Sequence, residues 1–466
     1  MRDRDLYAKL LGIEDPWYVR DVDPSLEAGE VEIFISRDER AELPCPVCGA
    51  AAGRYDTRTR TWRHLDTMQY KTLLTAEVPR VKCAEHGVKQ LKVPWAEPGS
   101  RFTAMFEALV IDWLKEASVS AVARMLRMTW DEVDGVMARA VARGLERRQS
   151  QPLRNIGIDE TSFQKRHEYV TVVYDCDRKH VVDVLDNRRQ FDLEEFYFGT
   201  PLEHLQSLES VSMDMWGPYV QATLIHVPDA ERKIAFDRFH VAKHINDGVN
   251  KVRVDEHAKL RELGDRTLTG TRYLWLKNPE NMTAKSRLRF EALRGSSLRV
   301  ARAWAMKEAA RQLWSYERRG WARRAWKRLI VWMARSRLPP MVKVGQTLRA
   351  HLWGIVNAIV LGATNASLEA VNSKIQALKK RACGYRSRAR FRSAILFHCG
   401  GLELYPSAHL AHTNSEAPNG VLVDECGCDT SGEESGGSGG PGPCVDSCGV
   451  ECHNLACDLY SCIPCI

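Results

Sequence analysis

The sequence predicts a multidomain α+β protein, and three observations support that prediction. The 466 residues exceed the usual size of one domain, and a hydrophobic content of 44% suits ordinary cores. Two short turns rich in cysteine frame a stretch of strand-like alternation near the amino terminus. Further along, short strand-like segments that lead to an acidic residue are separated by long stretches of helical periodicity. The pattern indicates small amino-terminal modules, a mixed core and an all-helical segment inside that core.

Two tight pairs of soft metal ligands mark the first module. Cys45 and Cys48 form one pair, and Cys83 and His86 form another after 34 intervening residues, with a glycine following each pair. Thiolate and imidazole groups at this spacing suit a tetrahedral zinc ion with no open position. We therefore expect a DNA-binding zinc ribbon over residues 1–100 with a structural zinc ion. A pair of reduced, inert thiol turns is the alternative.

Residues 101–150 have the apolar spacing of three short helices. Ser118 can cap the second helix, and Thr129 with Glu132 forms a capping-box pattern at the start of the third. Three helices with a tight turn before the last one are typical of a helix-turn-helix. The basic residues expected to contact DNA phosphates here are Arg139, Arg143 and Arg147. A structural three-helix bundle without DNA contacts is the alternative.

Three acidic residues are candidates for a divalent-metal site. Asp159 belongs to a predicted hairpin over 155–174, Asp214 follows a predicted strand, and Glu369 lies on a predicted helix. Carboxylates held on strands and a helix suit magnesium, and a pair of such ions promotes phosphodiester cleavage. Aspartates at ordinary strand ends or turns are the alternative. The polar residues predicted to share the helix face of Glu369 are Asn365, Asn372, Ser373 and Gln376.

An ordered set of segments resembles one known family. The segments are CPVCG, WRHLDT, CAEHG, VPWAEP, GIDE, SMDMW, FDRFHV and the helix NASLEAVNSKI. From about residue 10 to about residue 405, the chain resembles the DDE transposases of bacterial insertion sequences in the ISL-three (ISL3) family. The resemblance implies a ribonuclease-H-like core whose catalytic triad, Asp159, Asp214 and Glu369, holds two Mg²⁺ (or Mn²⁺) ions.

Three further residues of the same segments have other interpretations. Glu160 and Asp237 occupy no triad position in the family pattern, so either is expected at most to assist the triad from nearby. His240, in the FDRFHV segment, is interpreted either as a contact to DNA phosphate or the scissile group, or as a structural histidine.

The same resemblance implies a function. A DNA transposase of this kind binds the terminal inverted repeats of its element, cleaves DNA at the element's ends and transfers the strands to target DNA. Because two ends must be joined together, a homodimer or higher assembly on DNA is expected. Two alternatives remain: a transposase-derived, non-catalytic DNA-binding regulator, and a divalent-metal nuclease that does not join strands.

The core is predicted in two parts, residues 151–250 and residues 351–408, the second carrying the glutamate helix. The all-helical insertion between them covers residues 251–350. Within it, residues 299–338 contain twelve Lys or Arg against two Glu, interleaved with tryptophans. This composition suggests contacts to the DNA backbone or stacking on an unpaired base. A helical stripe of tryptophans is usually core, so the inward-facing set is expected to be Trp314, Trp321 and Trp332.

Basic residues of the insertion and of the glutamate helix are the remaining candidates for DNA binding. A solvated charge run is the ordinary interpretation of such stretches. The second run begins beside a predicted catalytic acid, which favours a role in holding the DNA strand. The candidates are Arg323, Arg324, Lys327, Arg328, Lys379, Lys380, Arg381 and Arg386.

The composition also bears on where in the cell the protein is expected. The net charge of +7 is modest, but the helices above are basic while the tail is acidic. No apolar run approaches the ~20 residues of a membrane span, and the start lacks the apolar region of a signal peptide. We expect a cytoplasmic, nucleoid-associated bacterial protein. The Gly- and Cys-rich tail, residues 409–466, contains eight of the fourteen cysteines and is predicted to be disordered, with a small metal-binding module as the alternative.

Overall fold

The computed structural model describes residues 3–164, 168–363 and 366–407. Asn365 of the predicted polar helix face and the predicted disordered tail, residues 409–466, lie outside these ranges. Within them, no helix combines the length and the apolar character needed to cross a membrane.

The amino-terminal module is a five-stranded sheet with one short helix. Its elements are α1 (Asp3–Leu11), β1 (Trp17–Ser25), β2 (Glu30–Arg37), β3 (Gly53–Thr67), β4 (Tyr70–Cys83) and β5 (Gly87–Gln90). The strand order is β1-β2-β4-β3, with β5 also paired to β4, and only β2 and β4 are parallel among these pairs. On β2, alternate residues are buried, namely Val31, Ile33 and Ile35, as the two-residue period of a strand requires.

Three helices follow: α2 (Ala104–Glu116), α3 (Val119–Met125) and α4 (Trp130–Arg147). Each is capped at its start by a hydroxyl side chain that accepts a hydrogen bond from a backbone N–H. The capping residues are Thr103, Ser118 and Thr129. Thr129 and Glu132 form the complete reciprocal capping box. The predicted three-helix module is therefore confirmed, together with the caps of its second and third helices.

A second five-stranded sheet forms the centre of the molecule. Its strands and the helices between them are β6 (Asn155–Gln164), β7 (Glu168–Asp175), β8 (His180–Leu185), α5 (Gln190–Gly199), α6 (Leu202–Ser207), β9 (Ser210–Met213), α7 (Gly217–His226), α8 (Ala230–Lys233) and β10 (Ile234–Phe236). The strand order is β10-β9-β6-β7-β8. The strands β6, β7 and β8 form an antiparallel meander, while β9 pairs parallel with β6 and β10 pairs parallel with β9.

The rest of the described chain is helical. The helices are α9 (Arg238–Glu262), α10 (Arg272–Leu276), α11 (Ala284–Arg294), α12 (Arg299–Gln312), α13 (Arg319–Arg335), α14 (Pro339–Ala350), α15 (Leu352–Leu361), α16 (Ala366–Arg381) and α17 (Arg388–Cys399). The predicted boundary at residue 250 falls inside α9, which runs without interruption from the end of β10. The predicted boundary at residue 350 coincides with the end of α14.

The central sheet is buried on both faces. On β7, Val170, Val172 and Tyr174 pack in one hydrophobic cluster with α2, α3, α4, α16 and α17. Val173 points the other way, into a cluster formed with α5, α7, α9 and the helices up to α15. Because successive side chains of a strand alternate between faces, this one strand joins the two halves of the core.

The predicted inward stripe of tryptophans is wrong for two of its three members, whereas Trp314 is partly buried and packs against the core. Trp321 and Trp332 are 53% and 44% exposed. Trp314 lies in a 3-10 turn before α13, so the helical phase is interrupted between it and Trp321. The buried face of α13 is set instead by Ala322, Trp326, Leu329, Ile330 and Met333.

Candidate active site and metal centres

Cys45, Cys48, Cys83 and His86 come together at one end of the β3–β4 hairpin. All four ligand atoms lie within 4.8 Å of one another. The Cys48 and Cys83 sulfurs are 3.8 Å apart, and Cys83 Sγ is 3.6 Å from His86 Nδ1. Tetrahedral ligands around zinc at about 2.3 Å are separated by about 3.8 Å, so the geometry suits a structural zinc ion. Backbone N–H groups of Cys48 and Val47 lower the pKa of Cys45 to about 7, which favours the thiolate that binds metal.

Strand register brings three aspartates to one edge of the central sheet. Ile158, Met213 and Phe236 lie at the same level across β6, β9 and β10. These strands are parallel, so the next residue of each lies at the same edge. Those residues are Asp159, Asp214 and Asp237. Asp159 lies within β6 rather than at its end, but the pairing of β6 with β9 stops at Ile158.

His240, in the first turn of α9, lies among the three carboxylates. Its Nδ1 is 3.4 Å from Asp214 Oδ2, and its Nε2 is 3.8 Å from Asp159 Oδ1. The same Nε2 is 3.9 Å from Asp237 Oδ2. The structure thus groups His240 and Asp237 with two of the predicted triad residues.

Hydrogen bonds orient the carboxylates. Asp159 Oδ2 accepts a bond of 2.8 Å from Asn372 Nδ2, and the backbone N–H of Met215 donates to Asp214 at 2.6 Å. Burial raises the pKa of Asp159 to about 6, with His240 lowering it and the neighbouring acids raising it. Burial also raises the pKa of Asp237. Clustered, partly desolvated carboxylates favour a bound cation or proton over bare negative charge.

Helix α16 lies along β6 and carries the exposed Glu369. Gln376 Nε2 donates to Thr161 Oγ1 at 2.7 Å, so the polar face of α16, which also carries Asn372, lies along β6. Glu369 is one turn before Asn372 on that face. Burial raises the pKa of Glu369, and the next contributions come from Asp237 and His240, so their charges act directly on it. In the described part of the chain, only the cysteine–histidine set has three or more ligand atoms all within 4.8 Å, so these acids are more widely spaced.

Glu160 has a different partner. Its carboxylate accepts a bond of 3.1 Å from Arg188, whose guanidinium lies 4.4 Å from the ring of Trp216 and 5.1 Å from the ring of Tyr169. Trp216 is 37% exposed and follows Asp214 by two residues. Sequence reasoning missed this cation–π arrangement beside the aspartates. Arg188 is separated from its partners in sequence, so no local pattern reveals it.

The basic residues of α4 serve structural contacts. Arg143 is only 7% exposed and bonds Glu97, Glu107 and the backbone oxygen of Leu404. Arg139 also bonds the buried Glu107. Arg147 donates to the backbone oxygen of Tyr405 at 2.6 Å. This geometry does not support the interpretation of these arginines as phosphate contacts, because their guanidinium groups already bind partners within the protein.

The remaining predicted DNA-binding residues differ in whether their side chains are exposed or already bonded within the protein. Lys379 donates to the backbone oxygen of Ser162 at 2.8 Å, and Arg381 donates to that of Glu116 at 3.0 Å. Arg324 stacks on Trp321 with 4.3 Å between the guanidinium and the ring centroid. The exposed members of the set are Arg323, Arg324, Lys327, Arg328, Lys380, Arg381 and Arg386.

Three family models match this chain. A model described as a transposase, of the ISL3 type, matches residues 156–395, which is more than half of the chain. A model described as the helix-turn-helix domain of transposase family ISL3 matches residues 91–141. A third, described as the zinc-finger of transposase IS204/IS1001/IS1096/IS1165, matches residues 42–86. These ranges cover nearly all of the central sheet, most of the three-helix module and the four zinc-type ligands.

Curated relatives match over nearly their full length. The chain is 29% identical over 442 residues to the transposase for insertion sequence element IS1557 of Mycobacterium tuberculosis, covering 88% of this chain and 98% of the relative. It is 26% identical over 396 residues to the transposase for insertion sequence element IS1001 of Bordetella parapertussis, covering 84% of this chain and 97% of the relative.

Proposed function

Because this chain belongs to the transposase family ISL3, we propose that it is the DNA transposase of a bacterial insertion sequence, acting at the nucleoid. It binds the terminal inverted repeats of its element and catalyses metal-dependent DNA cleavage and strand transfer. The observation that carries the catalytic part is the set of in-register aspartates, which lies beside the glutamate helix.

The strand order supports a ribonuclease-H-like core. An antiparallel meander is extended on one side by two parallel strands, in the order β10-β9-β6-β7-β8. The domain division keeps the boundaries drawn from sequence: ribbon 1–100, helix-turn-helix 101–150, core 151–250 and 351–408, and helical insertion 251–350. The continuous helix α9 leads from the core into the insertion.

Asp159, Asp214 and Glu369 form the catalytic triad in this proposal. Their donor atoms are all carboxylate oxygens, which hard divalent cations prefer. Burial raises the pKa values of Asp159 and Glu369, which supports the assignment of a cation site there. These three carboxylates would hold two Mg²⁺ or Mn²⁺ ions, which would supply Lewis acidity for phosphodiester cleavage.

The chain's own residues orient the reacting groups. Asn372 and the Met215 N–H hold two of the carboxylates through the hydrogen bonds described above. The exposed Lys380 and Arg386 on and after α16 neutralise the DNA strand beside the triad. Water attacks the phosphorus at the element's end, and the leaving 3′-hydroxyl then attacks target DNA in a second in-line displacement. Each step forms one P–O bond as another breaks, and no covalent protein intermediate is needed.

Recognition is assigned to the amino-terminal modules, and pairing of two ends to a homodimer or higher assembly. The decisive experiment compares the intact chain with Asp214→Asn on DNA carrying the element's ends, with magnesium present. We expect cleaved and joined products from the intact chain and none from the variant, while both still bind the ends. Equal products from both proteins would disprove the assigned triad. Cleavage without joining indicates a nuclease, and end binding without products from either protein indicates a regulator.

A further inference from the structure

A large groove runs between α13 and α14, with α15 as its floor. Its volume is about 1100 Å³, at the upper end of ligand-sized cavities, which span roughly 300–1,000 Å³. Gly345 of α14 lies so close to α13 that an added Cβ would meet Met333 Cβ at 3.0 Å. Beyond this contact, toward the start of α13 and the end of α14, residues of both helices line open space.

The rim of the groove is cationic. Arg319, Arg323 and Lys327 line it from successive turns of α13, and Arg349 lines it from α14. All four side chains are exposed, and no acidic residue is among the described residues that form the lining. Across the described ranges, none of the four has an ion-pair partner within 4.0 Å, although Arg319 donates to Asn357 at 2.7 Å. Such a rim attracts a ligand with several negative charges.

The floor, by contrast, is apolar. Ile330 and Val331 contribute from α13, and Leu352, Trp353 and Val356 contribute from α15. Val331 is 47% exposed although it is a large hydrophobic residue. An apolar surface below a cationic rim fits a ligand that is itself divided into apolar faces and negative charges.

One end of the groove lies near the aspartates. The Trp353 ring is 5.2 Å from the ring of Phe236, the residue directly before Asp237. Further along α15, Asn357 donates to the backbone oxygen of Ile234 at 2.9 Å. The start of α15 is therefore the part closest to the end of β10 where the carboxylates are.

We propose that this groove binds a short unpaired stretch of a DNA strand, with phosphates along the rim and bases against the floor. The inference rests on the proposed function, which brings DNA to the neighbouring carboxylates. A paired duplex presents its phosphates outward and cannot place base faces on the floor, whereas an unpaired strand can do both. An acidic amphipathic protein segment has similar chemistry, but the contact between Trp353 on the floor and Phe236, the residue before Asp237, favours the strand being processed at the aspartates.

The test measures binding by fluorescence anisotropy with the full chain, without added magnesium so that no cleavage occurs, and without a chelator so that the zinc ion is kept. One probe is a labelled duplex of the element's end with a short single-stranded tail, and the other is the same duplex fully paired. The groove variants are Arg323→Ala on the rim and Val331→Glu on the floor. Arg335→Ala is the matched control, because Arg335 is an exposed arginine of α13 outside the lining. Equal melting temperatures of all four proteins verify folding.

The intact chain and Arg335→Ala should prefer the tailed probe. Both groove variants should lose about tenfold in affinity for that probe, the scale of one lost base-stacking contact, and change little on the paired probe. Equal affinity of the intact chain for both probes would overturn the proposal, as would an equal loss in the Arg335→Ala control. A Val331→Glu protein that keeps the preference but loses self-association in sedimentation would reassign the groove to contacts between copies.

The same preparation separates this proposal from the proposed function. If the protein cleaves and joins fully paired ends in magnesium but shows no preference for the tailed probe, only the groove assignment is disproved. The opposite outcome is a preference for the tailed probe that the groove variants abolish, with no cleaved or joined products in magnesium. It would support the groove assignment and contradict the proposed enzymatic function.

Discussion

Asp237 has two roles, and a substitution at this position can separate them. Its carboxylate accepts the backbone N–H of Phe239 at 3.2 Å and so caps α9, the helix that carries His240. The same carboxylate faces His240 across the aspartate cluster, and burial raises its pKa. Charge and capping at this position can be tested independently because asparagine caps helices as well as aspartate does.

We predict that Asp237→Asn weakens divalent-ion binding by about 10–100-fold, the range seen when groups that support metal ligands are changed. The cap is kept, so the melting temperature should hardly change. Manganese titration by calorimetry measures the affinity. Asp237→Ala is the comparison, since it should also destabilise the protein by about 1 kcal/mol through loss of the cap. Wild-type manganese affinity in Asp237→Asn would show that this charge takes no part in metal binding.

His64 links stability to pH. It is 8% exposed, its Nδ1 lies 2.9 Å from Thr103 Oγ1, and burial followed by the nearby Arg63 lowers its pKa to about 4. The unfolded chain therefore takes up the proton first as the pH falls below about 6.5. Stability is present in full above that value and declines as the pH falls toward 4.

Replacing His64 by glutamine should reduce this loss. Between pH 7 and pH 5, the neutral histidine costs the folded state about 2 kcal/mol by linkage. Urea unfolding at the two pH values should therefore show a smaller decrease for His64→Gln than for the intact chain. Loss of zinc ligands to protons at low pH affects both proteins, so the difference between them isolates His64. Equal decreases would contradict the prediction.

At the scale of elements, α15 packs on β10 and supports the edge of the sheet where the aspartates lie. Gly354 lies against Phe236, and a Cβ built on this glycine would be 2.5 Å from two ring carbons. Since Phe236 directly precedes Asp237, any displacement of the ring reaches the aspartate cluster.

Gly354→Ala should destabilise the protein by about 1–3 kcal/mol, as overpacking a close-fitting core does. Gly135→Ala in α4 is the matched control, because its added Cβ would have only one neighbour, 3.5 Å away at the tip of Arg139. That change should be neutral or stabilise α4 by up to about 1 kcal/mol. Denaturant unfolding compares the two variants. Similar stability of both would show that the core accommodates the methyl group at Gly354.

At the scale of the whole molecule, the zinc module, the three-helix module and the core are linked in series. Asp66 of β3 forms an ion pair with Arg127 between α3 and α4. On the other side, Arg390 of α17 lies 3.0 Å from both Asp131 and Asp134 of α4. A change in the zinc module therefore reaches the helix-turn-helix through direct contacts.

Removal of zinc by a selective chelator should unfold the ribbon, because metal binding supplies folding energy to small modules. Binding to the element's ends should fall by at least about tenfold, and added zinc should restore it. Cys48→Ser should reproduce the loss, whereas Cys383→Ser, an exposed cysteine outside the cluster, should not. Circular dichroism and anisotropy measure the two effects. Full end binding by the zinc-free protein would exclude this role of the ribbon.

Local patterns in the sequence were sufficient to predict much of the architecture. The zinc ligands, the caps at Ser118 and Thr129, the strand leading to Asp214, and the helix of Glu369 each depend on residues close in the chain. Spacing, capping and periodicity act over a few residues, so they can be recognised without a structure.

What the sequence determined alone is therefore the inventory of elements and the identity of the acidic, basic and thiol residues they carry. Only the tertiary structure decided which of them meet: His240 lies beside Asp159, Asp214 and Asp237, Arg143 is buried against Glu107, and Trp321 is exposed. Strand register and helix phase relative to distant partners set these outcomes. A cationic side chain can be buried only where an acid neutralises it. The fold determines which acid that is, and the acid can be distant in the chain.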